Sequence, residues 1–279
     1  MDLSICSYSF HRLLEEGQQD VFKYISDCHS LGCTQLDLWN GHLPLLLDHE
    51  APSPSSYTPE YAQLSADEVD YLVRIKAAAD SVGLLFGCLA VDGAHIYESS
   101  AEARQAQQIK AYRWLNIAEQ LGTQQIRIDS GGPAELPEDV LEIIVSGYND
   151  LIPRARDKGM EVVIENHWGA SRIPENVIRM LEAVQGLGLL FDTGNWPDEL
   201  RETGWTQCAR YARATHLKTY AFDADGNETT VDIPRAIRLL QDSGYQGSWG
   251  IESVPREGDE IEAARKSVAL VRRILGATV

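Results

Sequence analysis

Apolar runs of strand length alternate with amphipathic segments along nearly the whole chain. The runs at residues 3–8, 34–39, 84–91, 124–129, 160–165, 187–192, 214–219 and 248–253 predict eight strands. Segments at 21–31, 65–81, 101–120, 137–158, 174–184, 206–212, 233–243 and 259–275 lie between and after them and read as helices. Ser65 and Glu68 have the spacing of a reciprocal N-terminal cap for the second helix. Gly32, Gly83, Gly122, Gly159 and Gly244 stand at helix ends, where a residue free to adopt a left-handed backbone is favoured. The stretch 40–64, rich in Pro, Ser and His, is long for a loop in a compact domain and reads as a lid or an excursion over a site. Eight strand–helix units in 279 residues predict the α/β class and a single (β/α)8 TIM barrel, with 1–279 as one domain. A doubly wound open sheet uses the same alternation, but no Gly-x-Gly-x-x-Gly follows the first strand, where that fold places its nucleotide loop.

Charge and cysteine content narrow the setting. Lys plus Arg total 24 against 42 for Asp plus Glu, a formal charge of −18. Such a surface repels phosphate backbones and anionic lipid, so neither nucleic acid nor a membrane is expected as a partner. No apolar run approaches the ~20 residues that span a bilayer, and the first residues lack the pattern of a signal peptide. Cys6, Cys28, Cys33, Cys88 and Cys208 are odd in number, scattered and without the close pairing of zinc sites. They read as small apolar side chains in a reducing compartment, which places the chain in the cytoplasm.

In a barrel of this kind the chemistry gathers at the C-terminal ends of the strands. Strand five ends Ile164-Glu165-Asn166-His167, and strand six ends Phe191-Asp192-Thr193-Gly194-Asn195-Trp196. Strand seven carries His216-Leu217-Lys218, and strand eight carries Gly250-Ile251-Glu252. Four successive strands thus each present one strong ligand: Glu165, Asp192, His216 and Glu252. Taken singly, a carboxylate there often only caps a helix or pairs with Arg, and a lone His is usually structural. Taken together, three carboxylates would raise one another's pKa values unless a cation joined them. An oxygen-rich set with one imidazole suits a divalent ion, Mn2+ first and Mg2+ or Co2+ next.

Other residues could shape a pocket. Lys218 lies two residues from His216 and therefore points the same way, either to neutralise an oxyanion or to pair with Asp129 or Arg127. Arg127 and Asp129 would serve the substrate or each other. Trp39, Trp168 and Trp196, with Tyr8 and Phe10, fall just after strands, where aromatic faces can stack on a sugar or an aglycone. His95 is a pocket candidate, as are His11, His42 and His49, each of which is more often surface than ligand.

The motifs Val163-Ile164-Glu165-Asn166-His167, Phe191-Asp192-Thr193-Gly194-Asn195, His216-Leu217-Lys218 and Gly250-Ile251-Glu252 resemble those of the xylose-isomerase-like TIM-barrel superfamily. That group includes sugar phosphate isomerases and epimerases, ketose 3-epimerases, inosose dehydratases and endonuclease IV. The resemblance implies one divalent metal held by Glu165, Asp192, His216 and Glu252. It also implies that Glu165 and Glu252 act as acid and base on opposite faces of the substrate, with His167 touching substrate or serving as a further base. The implied activity is that of a metal-dependent sugar isomerase or epimerase acting on a ketose, keto-sugar or keto-glycoside through a metal-bound enediolate. The alternative is a lyase, a dehydratase or glycoside eliminase, that uses the same site. A non-catalytic barrel subunit is the remote third reading. Epimerases commonly read Asp-x-x-His on strand six, whereas Asn195 stands at the histidine position here and cannot transfer a proton near neutral pH. That departure and the acidity count against a nuclease. The expected partner is a small sugar or glycoside, with Trp39, Trp168, Asn195, Trp196, Lys218 and His95 binding it; self-association into a homo-oligomer is left open.

Overall fold

A computed structural model describes residues 2–48 and 53–276 of the protein. Its strands are β1 (Leu3–Ile5), β2 (Gln35–Trp39), β3 (Leu85–Tyr97), β4 (Gln125–Gly131), β5 (Glu161–Glu165), β6 (Gly188–Asp192), β7 (Ala212–Thr219) and β8 (Trp249–Ser253). They form one parallel sheet in the order β1-β8-β7-β6-β5-β4-β3-β2. Around it lie α1 (His11–Glu15), α2 (Val21–Ser30), α3 (Ala66–Ser81), α4 (Ala101–Leu121), α5 (Glu138–Asp157), α6 (Pro174–Ala183), α7 (Asp198–Cys208), α8 (Ile233–Asp242) and α9 (Glu260–Ile274). The architecture is the (β/α)8 barrel that the alternation predicts.

The helices form because their apolar positions make one stripe. In α8, Ile233, Ala236, Ile237 and Leu240 recur at helical spacing and are fully buried. Each of the larger three contributes roughly 1.5–3 kcal/mol relative to an exposed position. Asp20, Ser65, Ser100, Asp232 and Asp259 cap helix N-termini through their side chains, and Ser65 and Glu68 complete the reciprocal pair. Gly122 ends α4 with φ of 72°.

Several boundaries differ from the sequence reading. Strand β1 stops at Ile5, and Ser7–Phe10 turns as a 3-10 segment into the short helix α1. Strand β3 runs on to Tyr97, with an irregularity between Val91 and His95, so it overhangs the barrel mouth. Helix α7 starts at Asp198, ahead of the expected 206. The described part of residues 40–64 folds as short 3-10 turns, and its later portion is pinned to α4. Arg113 donates to the carbonyls of Tyr61 and Gln63 at 3.2 and 3.1 Å, and Asn116 to that of Ala62 at 2.8 Å. His49 lies outside the described residues.

The barrel interior is built in layers by the period of two along each strand. Cys88, Val163, Leu190 and Ala214 make an apolar plug. Two residues further along β5, β6 and β7 the same inward positions become Glu165, Asp192 and His216, all buried. The switch from apolar to ionisable side chains at one level defines the floor of a site.

The barrel seam between β1 and β2 is held by little regular pairing, with one bridge between Cys6 and Asp37. A side chain compensates. The hydroxyl of Tyr24, from α2, lies 2.7 Å from the carbonyl of Ile5 and 2.8 Å from that of Asp37, and accepts the Asp37 N–H at 2.8 Å. Tyr24 is fully buried, so no water replaces this hydroxyl. Tyr24→Phe leaves the buried Asp37 N–H without its partner and is expected to cost about 1–3 kcal/mol. Urea unfolding checks this; a midpoint equal to that of the parent would remove Tyr24 from the seam.

Candidate metal and active site

The four strand-end ligands converge. Glu165, Asp192, His216 and Glu252 each offer one ligand atom, and these atoms lie within 4.8 Å of one another. Each is set by its own local structure. Asp192 Oδ1 accepts the backbone N–H groups of Gly194 and Asn195 at 2.7 and 2.8 Å, while Oδ2 reaches Lys218 inside the barrel. The Asn166 side chain brackets the same backbone, donating to the Asp192 carbonyl and accepting its N–H, both at 2.9 Å. His216 Nε2 faces Asp37 Oδ2 at 3.2 Å, which turns Nδ1 towards Glu252 Oε2 at 2.9 Å and Glu165 Oε1 at 3.4 Å. A carboxylate behind the imidazole fixes its orientation, as it does for histidines that ligate metals.

Two fixed cations sit among these groups. The Lys218 ammonium lies 3.1 Å from both Asp192 Oδ2 and Glu252 Oε1, and donates to Asn195 Oδ1 at 2.8 Å. Asn195 in turn donates to Glu165 Oε1 at 3.1 Å, linking the lysine to the glutamate. Lys218 thus points inward with His216 as its spacing predicts, but its partners are Asp192 and Glu252, and neither Asp129 nor Arg127. Arg127 and Asp129 do pair, at 2.9 Å. Arg127 also donates to Asp92 Oδ1 at 3.0 Å and places Nε 3.3 Å from Glu165 Oε2. Asp129 Oδ2 further accepts from His167 Nδ1 at 3.0 Å and Trp168 Nε1 at 2.8 Å.

These neighbours set the protonation states. Burial alone would raise Glu165, but His167, His216 and Arg127 outweigh it and hold it well below the usual carboxylate range. Burial also acts to raise Glu252, and Lys218 and His216 bring it down to about 2. Asp192 is pushed up to about 6, because burial and the charges of Glu252 and Glu165 exceed the help of Lys218. Burial opposes a charged His167, yet Glu165 and Asp129 lift it to about 9. His216 is raised against its burial by Asp37 and Cys6.

The residues present fit a divalent cation. Asp192 Oδ2 and His216 Nδ1 are buried without a well-aligned hydrogen bond, their close partners being the charged groups of Lys218, Glu252 and Glu165. Both belong to the converging set, together with the two glutamates. Three oxygen ligands and one imidazole nitrogen are the donors that suit Mn2+, Mg2+ or Co2+.

The cavity above this set has a volume of about 200 Å3 and is lined by Tyr8, Trp39, Asp92, Arg127, Glu165, His167, His216, Lys218 and Glu252, among others. It lies below the ~300–1,000 Å3 typical of sites for drug-sized ligands, so it takes a compact molecule. A larger concavity of about 610 Å3 runs outside the barrel between α4 and α5. Among the described residues, the clusters of metal-ligating side chains all lie elsewhere.

The remaining expected residues divide. Trp39 borders the cavity, with Tyr8 edge-on at 5.0 Å. Trp168 is half-exposed at the rim beside His167. Trp196 corrects an expectation: it is 1% exposed and packs edge-on against Phe191 at 5.6 Å, because the turn after β6 directs it outward under α7. His95 is also corrected. It stacks edge-on behind Trp168, bonds Glu98 at 2.8 Å and faces the outer concavity. His42 is buried against Tyr24 and Trp39, His11 stacks on Tyr8, and Phe10 is core. Asp37 and Asp92 were missed. Asp37 interrupts the apolar run Leu36-Asp37-Leu38, and Asp92 directly follows the third predicted strand; both were visible signals.

Residues 25–274 match the family described as xylose isomerase-like TIM barrel, and the chain belongs to that family. Among solved structures it is similar to D-psicose 3-epimerase with D-tagatose from Clostridium cellulolyticum H10, at 14% identity over 99% of each chain with a TM-score of 0.74. It is also similar to the apo form of 3-keto-D-glucoside 4-epimerase YcjR from E. coli, at 15% identity over 91% of this chain and 95% of that one, TM-score 0.69. A third is the probable 3-DHS dehydratase AsbF of Bacillus anthracis, at 14% identity over 97% and 98%, TM-score 0.68. At these identities the likeness is one of fold. No curated protein matches the chain. No helix among the described residues is long and apolar enough to cross a membrane.

Two outcomes follow from the geometry. Asp37→Asn removes the carboxylate behind His216 and is expected to weaken Mn2+ affinity about 10- to 100-fold in equilibrium dialysis; unchanged affinity would mean that Asp37 does not orient the ligand. Lys218→Met leaves Asp192 and Glu252 without their cation and should lower the Tm of the metal-free protein, a broken buried pair costing about 3–5 kcal/mol. Added Mn2+ should then raise Tm more in Lys218→Met than in the parent. An equal rise in both would show that lysine and metal ion do not share these carboxylates.

Proposed function

We propose that the protein is a divalent-metal-dependent isomerase or epimerase acting on a small ketose or keto-sugar, with Mn2+ as the first candidate ion. The observation that carries the reading is the pair Glu165 and Glu252. Both are buried, both are held ionised, with His216 between them, His167 and Arg127 beside Glu165 and Lys218 beside Glu252, and both border one compact cavity. Glu165, Asp192, His216 and Glu252 would hold the ion, which when bound supplies electrophilic polarisation of a substrate carbonyl.

The chain's own groups supply the rest. A carbon next to a polarised carbonyl gives up its proton to a positioned carboxylate, and the product is an enediolate. Both glutamates start ionised, so the one that returns a proton to the opposite face must first take one up, and protonated His167, with Nδ1 4.0 Å from Glu165 Oε2, is the donor beside it. Lys218, fixed by Asn195, puts an ammonium where negative charge develops on oxygen.

A lyase outcome is the second reading, favoured by two specific observations. Asn195 joins Lys218 to Glu165 without a proton to move. His167 is lifted to about 9 and so carries a proton at neutral pH, one it can give to a departing β-hydroxyl or alkoxide. The enediolate then expels that group in place of being reprotonated. The dehydratase among the fold neighbours supports the same branch.

Incubation with Mn2+ and a panel of ketoses and 3-keto-glucosides in D2O separates these outcomes. The isomerase reading expects deuterium at the carbon next to the carbonyl in recovered sugar, whereas a lyase releases water or aglycone. Glu252→Gln should lower kcat by about 10^2- to 10^4-fold in either case. Full activity in Glu252→Gln, or neither product with one Mn2+ bound per chain, would overturn the proposal.

A further inference from the structure

The four converging ligands use one nitrogen of His216 and leave the other. Nδ1 looks towards Glu252 and Glu165, whereas Nε2 faces Asp37 Oδ2 at 3.2 Å. Cys6, read from the sequence as a small apolar side chain, stands with them. Cys6, Asp37 and His216 each offer one ligand atom, and these atoms lie within 4.8 Å of one another. All three residues are buried, at 1%, 4% and 1% exposure. Cys6 follows β1 and bridges to Asp37 of β2 across the barrel seam, while His216 belongs to β7. The Cys6 N–H donates to the Ile251 carbonyl at 2.7 Å and the Asp37 N–H to the Tyr24 hydroxyl at 2.8 Å, so the backbones that carry thiol and carboxylate are fixed.

Asp37 holds a buried carboxylate with little to offset it. Its Oδ2 faces His216, its Oδ1 is buried without a hydrogen bond, and no Lys or Arg pairs with it among the described residues. Buried carboxylate oxygens are normally satisfied. The cluster of Asp92, Asp129 and His167 differs in this respect, because Arg127 already bonds both of its carboxylates. The donors differ too. A sulfur, an imidazole nitrogen and one carboxylate oxygen suit Zn2+, which is held by three protein ligands where a fourth position stays open. Cys6 and His216 line the cavity, which gives an ion its entry and leaves that position facing the opening. Burial pushes the Cys6 thiol up to about 12, so its proton leaves as the sulfur–metal bond forms. Mn2+ and Mg2+ prefer oxygen and gain little from that exchange.

We propose that Cys6, Asp37 and His216 form a second metal site, selective for Zn2+ over Mn2+ and Mg2+, that competes with the four-ligand site for one imidazole. A neutral imidazole has one acceptor nitrogen, so an ion on Nε2 leaves no lone pair for an ion on Nδ1. Zinc held there would keep the four-ligand site from filling. The second site stands whatever reaction the barrel performs; only the competition rests on the four-ligand reading.

The probe is Co2+, which occupies zinc sites and shows a sulfur-to-cobalt charge-transfer band in the near ultraviolet when a thiolate is bound. Titration of the metal-free protein should raise that band to an endpoint of one sulfur-bound ion per chain, and excess Zn2+ should abolish it. Cys6→Ser and Cys6→Ala, with far-UV dichroism unchanged, should both lose the band. Glu165→Gln, which alters the four-ligand set and none of the triad, should keep it. No band in the parent, a band that persists in either Cys6 variant, or its loss in Glu165→Gln would each overturn the second site. Excess Mn2+ should abolish the band in the parent by taking His216 at Nδ1. A band that survives with one Mn2+ bound per chain would overturn the competition. Failure of Mn2+ to bind at all would instead sink the four-ligand reading and leave the second site standing.

Discussion

Charge compensation inside the barrel is the constraint on which the rest of this structure depends. Asp37, Asp92, Asp129, Glu165, Asp192 and Glu252 all border or underlie one cavity, and only Asp92 among them is substantially exposed. Removing such groups from water costs several kcal/mol each unless partners restore the lost solvation. Arg127 and Lys218 provide fixed positive charge, His167 and His216 are drawn to their cationic forms, and Asp192 moves towards its neutral form at about 6. The arrangement is tight but incomplete, since Asp192 Oδ2 and His216 Nδ1 have charged neighbours but no well-aligned hydrogen bond. A divalent cation would complete it, which makes the ligand set a consequence of the same electrostatics that threaten the fold.

The scaffold serves this layer of charge in specific ways. Period two along β5, β6 and β7 stacks each ionisable residue on an apolar one, so the plug beneath excludes water from the site floor. Tyr24 fixes the backbone of Asp37 across the seam, Asp37 orients His216, and His216 meets Glu165 and Glu252. A chain of contacts therefore runs from an outer helix to the proposed reacting groups. Gly250 belongs to the same economy of space: a Cβ there would sit 2.1 Å from the carbonyl of Thr215 and 3.1 Å from Asp37 Oδ2.

The fold was legible in the sequence because eight apolar runs and their helices follow periods that physics imposes directly. The convergence of Glu165, Asp192, His216 and Glu252 was legible for the same reason, each standing where its strand meets the barrel mouth. Reasoning by strand end failed where the local geometry stopped being strand-like. Trp196 follows β6 through a turn that reverses its direction, and His95 lies beyond an irregularity in β3 that carries it outside the mouth. The partner of Lys218 was misjudged because its neighbours on β6 and β8 are nearer than anything on β4. Asp37 and Asp92 stand outside the strand-end motifs of β5 to β8, although a carboxylate inside Leu36-Asp37-Leu38 is itself a signal of an inward polar position. The stretch 40–64 was ambiguous in principle, since nothing in its composition reveals that its later part docks on Arg113 and Asn116 of α4.

The central claim is that Glu165, Asp192, His216 and Glu252 form a site for one divalent cation and that the metal-free interior holds His216 as an imidazolium. Binding at Nδ1 must then expel a proton. Calorimetric titration of Mn2+ at pH 7, repeated in buffers of different ionisation enthalpy, measures both stoichiometry and proton release. The account predicts one ion per chain with about one proton released, and loss of both in His216→Ala. Absence of binding, or binding that persists with unchanged stoichiometry and no proton release in His216→Ala, would contradict it.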